Sequence, residues 1–338
     1  MTIRHAVRGW LARHRQGAGA VAIGLSGGAD SLALTAATVA EAGAVDALVV
    51  DHRLQPGSAE VAATAAETAL ELGCRSARVL PVVVDGVGGM EAAARRARYA
   101  ALDSARGGLP VLLGHTLDDQ AETVLLGLGR GSGARSIQGM APYSPPWGRP
   151  LLEVRRATTR QCCTDLGLIP HEDPHNWSPD FTRVRLRTEA LPLLEDILGG
   201  SAAVALARTA QLLREDNAAL DAVAEDLLGS ASREAVRAES APGCHPVDYV
   251  ALSCETLVTA PAAVRRRTVR TWLLAGGAKA VTAKHLQAVD ELVVAWRGQG
   301  PVAVGGGDPG TRLVVRREHG RLTLALAERQ DRDRRETS

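Results

Sequence analysis

Between residues 21 and 128 the chain alternates short apolar runs with alanine-rich helical stretches, and that rhythm leaves few folds open. The runs at 21–25, 47–50, 78–84 and 110–114 read as buried strands. The stretches at 31–42, 58–72, 91–106 and 117–128 read as helices, the first two stopped by Gly43 and Gly73. Successive strands joined through helices lie parallel, since a helix carries the chain back to the starting edge of the sheet. The expected fold class is therefore α/β, a parallel sheet with helices on both faces. Ligands of such sheets sit beyond the carboxyl ends of the strands, where the strand order reverses. Loops at 26–30, 51–57 and 114–119 all leave strand ends and are expected to meet in one crevice.

The rhythm breaks at 130–192 into segments rich in Gly, Pro and Arg, with one short helix at 156–166. Helical periodicity resumes at 191 and runs through 228; 229–246 reads as a linker. Helices follow at 261–275 and 282–297, and apolar runs at 302–304, 313–316 and 322–327 suggest a small β element. The chain thus divides into a first domain at 1–200, a mainly helical second domain at 201–330 and a charged tail at 331–338. A hydrophobic share of 46% can fill two cores, although aromatics supply only 3%. The net charge of +1 means that any surface for a polyanion is local, as at Arg265, Arg266, Arg267 and Arg270. Five cysteines without a C-x-x-C pair argue against a disulfide scaffold and a zinc site. No apolar run approaches the ~20 residues of a membrane helix, and the basic, amphipathic start reads as a first surface helix. A cytoplasmic protein without membrane contact is expected.

The crevice has a specific first wall. A strand, then Ser26, Gly27, Gly28, Ala29, Asp30 and Ser31, then a helix form a phosphate cradle. The glycines let the backbone turn and approach an anion, and the helix start offers amide groups. Both serine hydroxyls can add hydrogen bonds, and Asp30 can hold a magnesium ion bridging phosphate oxygens. The Walker pattern G-x-x-x-x-G-K-[ST] is absent. A second wall comes from His115, Asp119 and Glu122, which fall on one helical stripe with Asp118 beside them. Carboxylates crowded on one turn repel unless cations join them, and magnesium and a lysine ammonium are suitable cations.

The loop resembles that of the PP-loop pyrophosphatases, in which it grips the pyrophosphate end of ATP. Further segments narrow the choice: Val50-Asp51-His52, Ala94-Arg95-Arg96-Ala97-Arg98-Tyr99, the stretch from Gly114 to Thr123, Arg130-Gly131-Ser132-Gly133 and Arg149-Pro150-Leu151-Leu152. Asp173-Pro174-His175-Asn176 and the run from Phe181 to Arg187 complete the series. In this order they resemble the blocks of the tRNA(Ile)-lysidine synthetases, in the shorter form whose C-terminal region is mainly helical. Arg53, Gln55, Thr116 and Val184 depart from the family pattern.

The resemblance implies a tRNA-modifying ligase that uses ATP and Mg2+ to join free L-lysine to carbon 2 of a wobble cytidine, forming lysidine. The tRNA is an isoleucine tRNA with anticodon CAU, and its base is adenylated on the way. It implies that Ser26 to Ser31 hold pyrophosphate with magnesium on Asp30, and that Asp51 and His52 contact ribose or adenine. Asp119 and Glu122 would orient the lysine, with His115 and Asp118 beside them. Arg130 would stabilise charge on the transferring phosphoryl group, while Arg183, Arg185 and Arg187 engage RNA phosphates. The region 201–330 is expected to bind tRNA. Oligomeric state is left open, a homodimer included. The alternatives are a PP-loop tRNA cytidine thiolase, which lacks a suitable C-x-x-C set here, and an RNA-binding protein with a silent ATP site.

Overall fold

The structure, a computed structural model, describes residues 2–14, 19–85, 89–131, 133–173, 177–239, 251–307 and 310–328. Ser132, the triplet Pro174, His175 and Asn176, Cys244, residues 240–246 of the expected 229–246 linker and the 331–338 tail lie outside the described residues. Two compact units are formed by Met1–Arg214 and Glu215–Ser338.

In the first unit α1 (Ile3–His14) precedes β1 (Ala20–Leu25), α2 (Ala29–Glu41), β2 (Ala44–Asp51), α3 (Ser58–Glu71), β3 (Ser76–Pro81), α4 (Met90–Ala105), β4 (Val111–Leu113) and α5 (Leu117–Gly129). Shorter elements follow: α6 (Ala134–Ile137), β5 (Tyr143–Ser144), β6 (Trp147–Gly148), α7 (Arg156–Asp165) and α8 (Thr182–Arg185). A π-helical turn at Leu186–Ala190 leads into α9 (Leu191–Leu198) and the long α10 (Ala202–Glu239). The sheet order is β3-β2-β1-β4-β6-β5. All neighbours are parallel except β5, which returns antiparallel beside β6.

The chain runs outward from β1 to β3 in one direction and resumes on the other side at β4, so the switch point lies between β1 and β4. Burial explains why these strands are central: five of six residues in β1 and all of β4 are buried. Val21, Ile23 and Leu25 meet Leu32, Ala33 and Leu34 of α2 on one face; Ala22, Leu48, Leu113 and Leu102 pack on the other. Such alternation, with both faces apolar, is what a doubly covered sheet requires.

The helical run beginning at 191 is two helices. Gly199, at φ 88°, ends α9 in the left-handed conformation that favours glycine, and a new helix starts at Ala202. That helix then passes through 229–239, where a linker was expected, because Ala231 and Ala235 continue its buried stripe. Its first turns belong to the first unit: Ala203, Leu206 and Ala207 pack with Leu117, Ala121 and Leu191. The unit boundary accordingly falls inside α10.

The second unit comprises the rest of α10, β7 (Leu252–Ser253), α11 (Cys254–Val258), α12 (Ala262–Ala275), α13 (Ala283–Val294), β8 (Val302–Val304), β9 (Thr311–Glu318) and β10 (Arg321–Glu328). Its antiparallel sheet, ordered β7-β10-β9-β8, encloses Leu252, Leu257, Val269, Trp272, Leu292, Val315 and Leu322 with the helices. In the basic cluster on α12 only Arg265 is buried; Arg266 is exposed, and Arg267 and Arg270 are half-buried. Arg265 is buried against Asp290, which also takes Arg266, while Arg267 binds Asp221 and Asn217.

Candidate active site

The loop after β1 is built as its sequence implies. Gly27 has φ +78°, and a Cβ there would lie 3.4 Å from the Ala65 methyl. Gly28 is extended and caps α2, so its backbone does not demand glycine. Inside the turn, Ser31 Oγ accepts from the Ser26 N–H (3.2 Å) and donates to the Gly28 carbonyl (2.9 Å). The Gly27 carbonyl is taken by the His171 N–H at 3.0 Å, which ties the loop to the segment after α7. Behind the loop, Gly114 comes so close that a Cβ would stand 3.0 Å from the Asp30 carbonyl.

Helix α7 grips the same loop with one face. Arg156, Thr159 and Cys163 recur at helical spacing: Arg156 Nε and the Thr159 hydroxyl donate to the Asp30 carboxylate, and the Cys163 thiol donates to the Ala29 carbonyl at 3.4 Å. The start of α7 is pinned by Asp118, which accepts the Arg156 N–H at 2.7 Å and pairs with Arg155 at 3.2 Å.

The acidic stripe on α5 meets arginines. Asp119 closes a capping box with Thr116, accepting its N–H and its hydroxyl at 2.8 Å each, and takes Arg156 Nη2 at 2.6 Å. Glu122, with no exposed surface, accepts from Arg187 Nε at 2.8 Å and lies 3.5 Å from Arg156 Nη1 and 3.6 Å from Arg183 Nη1. One guanidinium, Arg156, therefore touches Asp30, Asp119 and Glu122. Burial raises the pKa of Asp30, and Arg156 and Thr159 only partly oppose it. Burial also dominates at Glu122, which stays above its ordinary value despite Arg187. At Asp119 burial is outweighed by Arg156, His115 and the Thr116 hydrogen bonds, and the carboxyl falls below the usual range. Arg156 loses some basicity to burial and gains more from its three carboxylates, so it is a fixed cation.

Two clefts open at the switch point and share Ser26 and His171. One, of about 270 Å³, is lined by Ser26, Gly28, Ala29, Asp30, Ser31, Asp119, Arg156, Arg187 and Trp177. The other, of about 230 Å³, lies at the end of β2 among Leu25, Val50, Asp51, His52, Gln55, Ala62 and Arg98. Asp51 is buried and fixes the turn by accepting the Arg53 N–H at 2.9 Å. His52 is kept neutral by burial and by Arg98, and its Nδ1 has no hydrogen bond among the described residues. His115 lines neither cleft; it lies near Asp119, likewise neutral through burial, with Nδ1 unpartnered among the described residues.

Among the expected site residues, the structure thus gathers Ser26 to Ser31, Asp118, Asp119, Glu122, Arg183 and Arg187 around one centre. Asp51 and His52 lie in the adjoining cleft. It does not bring Arg130 there: that residue caps the far end of α5, exposed and about 18 Å along the helix axis from Asp118. Arg185 points outward to Glu189 at 2.9 Å. The arginine at the loop that sequence reasoning missed is Arg156; its only signal was a basic residue where a short helix begins. As for magnesium, Asp30 is a half-buried carboxylate in the loop after β1 that already attracts a cation, which suits a magnesium ion held by one carboxylate and phosphate oxygens. No cluster of three or more metal-ligating side chains exists among the described residues.

Comparison with known proteins fits this geometry. The PP-loop domain family matches residues 4–194, and the TilS substrate binding domain family matches 252–323. The tRNA(Ile)-lysidine synthase of Nocardia farcinica is 69% identical over 323 residues, 95% of this chain and 97% of that protein. That of Rhodococcus jostii is 62% identical over 330 residues, 98% and 97% of the two chains. That of Mycobacterium tuberculosis strain H37Rv is 58% identical over 302, 89% and 90% of them. Among solved structures, the U34-tRNA thiolase NcsA from Methanococcus maripaludis superposes with a TM-score of 0.51 at 18% identity, over 63% of this chain and 78% of that one, which speaks for the fold alone. With a phosphate cradle at the switch point, an arginine-bound acidic helix beside it and full-length likeness to these relatives, the chain belongs to the tRNA(Ile)-lysidine synthase family.

Proposed function

We propose that the protein joins free L-lysine to carbon 2 of the wobble cytidine in an isoleucine tRNA with anticodon CAU, converting ATP to AMP and pyrophosphate. The observation that carries this reading is the pair of clefts meeting at the loop of Ser26 and Gly27, in a chain of this family. The cleft at Asp51 and His52 takes the adenosine. The phosphates lie over Ser26 to Ser31, where amides and hydroxyls meet them.

In the first step, oxygen 2 of the cytosine attacks the α-phosphorus, and the bond to pyrophosphate breaks. Arg156 and Arg187, held by buried carboxylates, offset the negative charge that develops. Asp30 would hold magnesium, which neutralises phosphate charge when bound. In the second step the lysine ε-amine attacks carbon 2, AMP leaves with the bonding electron pair, and the amine loses a proton. Free lysine titrates near ~10.4, so its ammonium must be deprotonated at the site. Asp119 lines the cleft and orients that amine; Glu122 is covered by arginines and acts by placing them. The second unit, where residues 252–323 match the TilS substrate binding domain, binds the tRNA. The setting is the cytoplasm, where ATP, lysine and tRNA occur together.

The test is mass analysis of nucleosides after reaction with each amino acid in turn. The expected product is cytidine carrying lysine, formed on isoleucine tRNA at least ~100-fold faster than on methionine tRNA with the same anticodon, or about 2.7 kcal/mol of discrimination. Equal labelling of both tRNAs would remove the specificity, and sulfur in place of lysine would overturn the reaction.

A further inference from the structure

The chain has five Trp, three Tyr and one Phe, and nearly all those described are used in packing. Trp10 and Trp272 are buried; Tyr143 meets the Trp10 ring edge-on at 5.3 Å, and Tyr99 meets Trp147 at 4.6 Å. Trp296 lies under the Arg317 guanidinium. Trp177 is different. It is 60% exposed, has no ring partner among the described residues, and lines the cleft that holds Asp30, Asp119, Arg156 and Arg187. An indole left in water in a cleft lined by arginines and the loop after β1 offers an exposed π-face beside guanidinium and backbone amide donors. That combination suits a single-stranded nucleotide, whose base stacks while its phosphates are drawn to the arginines.

Two bases approach this centre in the proposed reaction. The adenine has its own apolar seat beside Leu25, Val50 and Ala62, and Trp177 is not among the residues lining that cleft. The cytosine must leave the stack of its own loop, at a cost of a few kcal/mol, before oxygen 2 can face the α-phosphorus. We propose that Trp177 is the surface on which the unstacked wobble base of the tRNA stacks in the arginine-lined cleft. The inference rests on the function proposed above and adds a base-positioning residue to it. Its ring replaces the stacking partners that the base gives up.

The test compares two RNAs: an anticodon stem-loop with the CAU sequence, and the same stem-loop with an abasic wobble position. Each is titrated against the full chain in the presence of a non-hydrolysable ATP analogue. The intact loop is expected to bind at least about tenfold more tightly, ~1.4 kcal/mol, and to quench indole fluorescence. Trp177→Ala should abolish both the difference and the quenching while leaving affinity for the ATP analogue alone unchanged. Trp177→Phe should keep most of the affinity difference. A tenfold difference that persists in Trp177→Ala overturns the proposal. Equal weakening of the ATP analogue by Trp177→Ala also overturns it, assigning the ring to adenine instead. Should the wild-type chain form no lysine-bearing nucleoside on any tRNA, the function fails, whatever the stacking titration shows.

Discussion

Replacing Glu122 by Gln keeps the shape of the side chain and removes one of three carboxylates that balance Arg156, Arg183 and Arg187. The amide oxygen can still accept from Arg187 Nε, but its NH2 group then faces Arg183 Nη1, donor against donor. Truncating one partner of a buried ion pair costs about 3–5 kcal/mol. Here the upward shift of the Glu122 pKa shows that its arginines do not fully offset the cost of burying the charge, so part of the penalty is already present in the native protein. Gln carries no charge to bury, so the stability loss should be small, within about 1 kcal/mol or roughly 4 °C in Tm for a unit of this size, and the main effect should fall on the placement of the arginines. Because Arg156 and Arg187 would lose a fixed orientation, tRNA-dependent AMP formation should fall about 10²-fold in kcat/KM. Thermal denaturation and a radiolabelled AMP assay measure both. A Glu122→Gln protein with unchanged AMP formation would refute the view that this carboxylate organises the arginines. A rise in lysine KM alone would return the residue to direct lysine binding.

The two faces of the 182–190 segment should separate cleanly: Arg187→Ala is expected to lower kcat/KM for AMP formation about 10²-fold, while Arg185→Ala, whose partner is the surface residue Glu189, stays within threefold in the same assay. Gly114→Ala would press a methyl against the Asp30 carbonyl, displacing the phosphate loop by a few tenths of an ångström; steady-state kinetics should show a severalfold rise in ATP KM with little change in lysine KM. His115 has a folded-state pKa below its unfolded value, so the unfolded chain binds the extra proton and stability is lost as pH falls below about 6.5, by at most ~1.4 kcal/mol per pH unit. Urea denaturation from pH 7.5 to 5 should show a shallower acid loss in His115→Gln than in wild type.

Sequence reasoning found the sheet because strands buried on both faces leave uninterrupted Val, Ile, Leu and Ala runs, and helices between them leave a period of about 3.6. It found the phosphate loop because Gly27 needs a left-handed backbone and the flanking elements were legible. It also recognised that Asp119 and Glu122 must be met by cations. It named magnesium and a lysine ammonium for them and missed the arginines, which lie 37 and 65 residues further on, at Arg156 and Arg187. An arginine that will be buried looks the same in sequence as one on the surface, as Arg265 and Arg185 show. The break at Gly199 and the continuation through 229–239 were missed because one depends on a single backbone angle and the other on two buried alanines among polar residues.

The loop at Ser26–Gly28 is held from two directions, by Gly114 behind it and by the α7 face of Arg156, Thr159 and Cys163 alongside. Fixing the backbone of one residue takes about 1–2 kcal/mol of conformational entropy. In this chain that loss falls at the moment of folding rather than when nucleotide arrives. ATP then meets an anion cradle that needs little further ordering, and the free energy of its phosphate contacts remains available for drawing the second substrate into place. Loosening α7, at a distance from the phosphates, would move that entropy loss into the binding step and weaken nucleotide affinity without removing a single group that touches it.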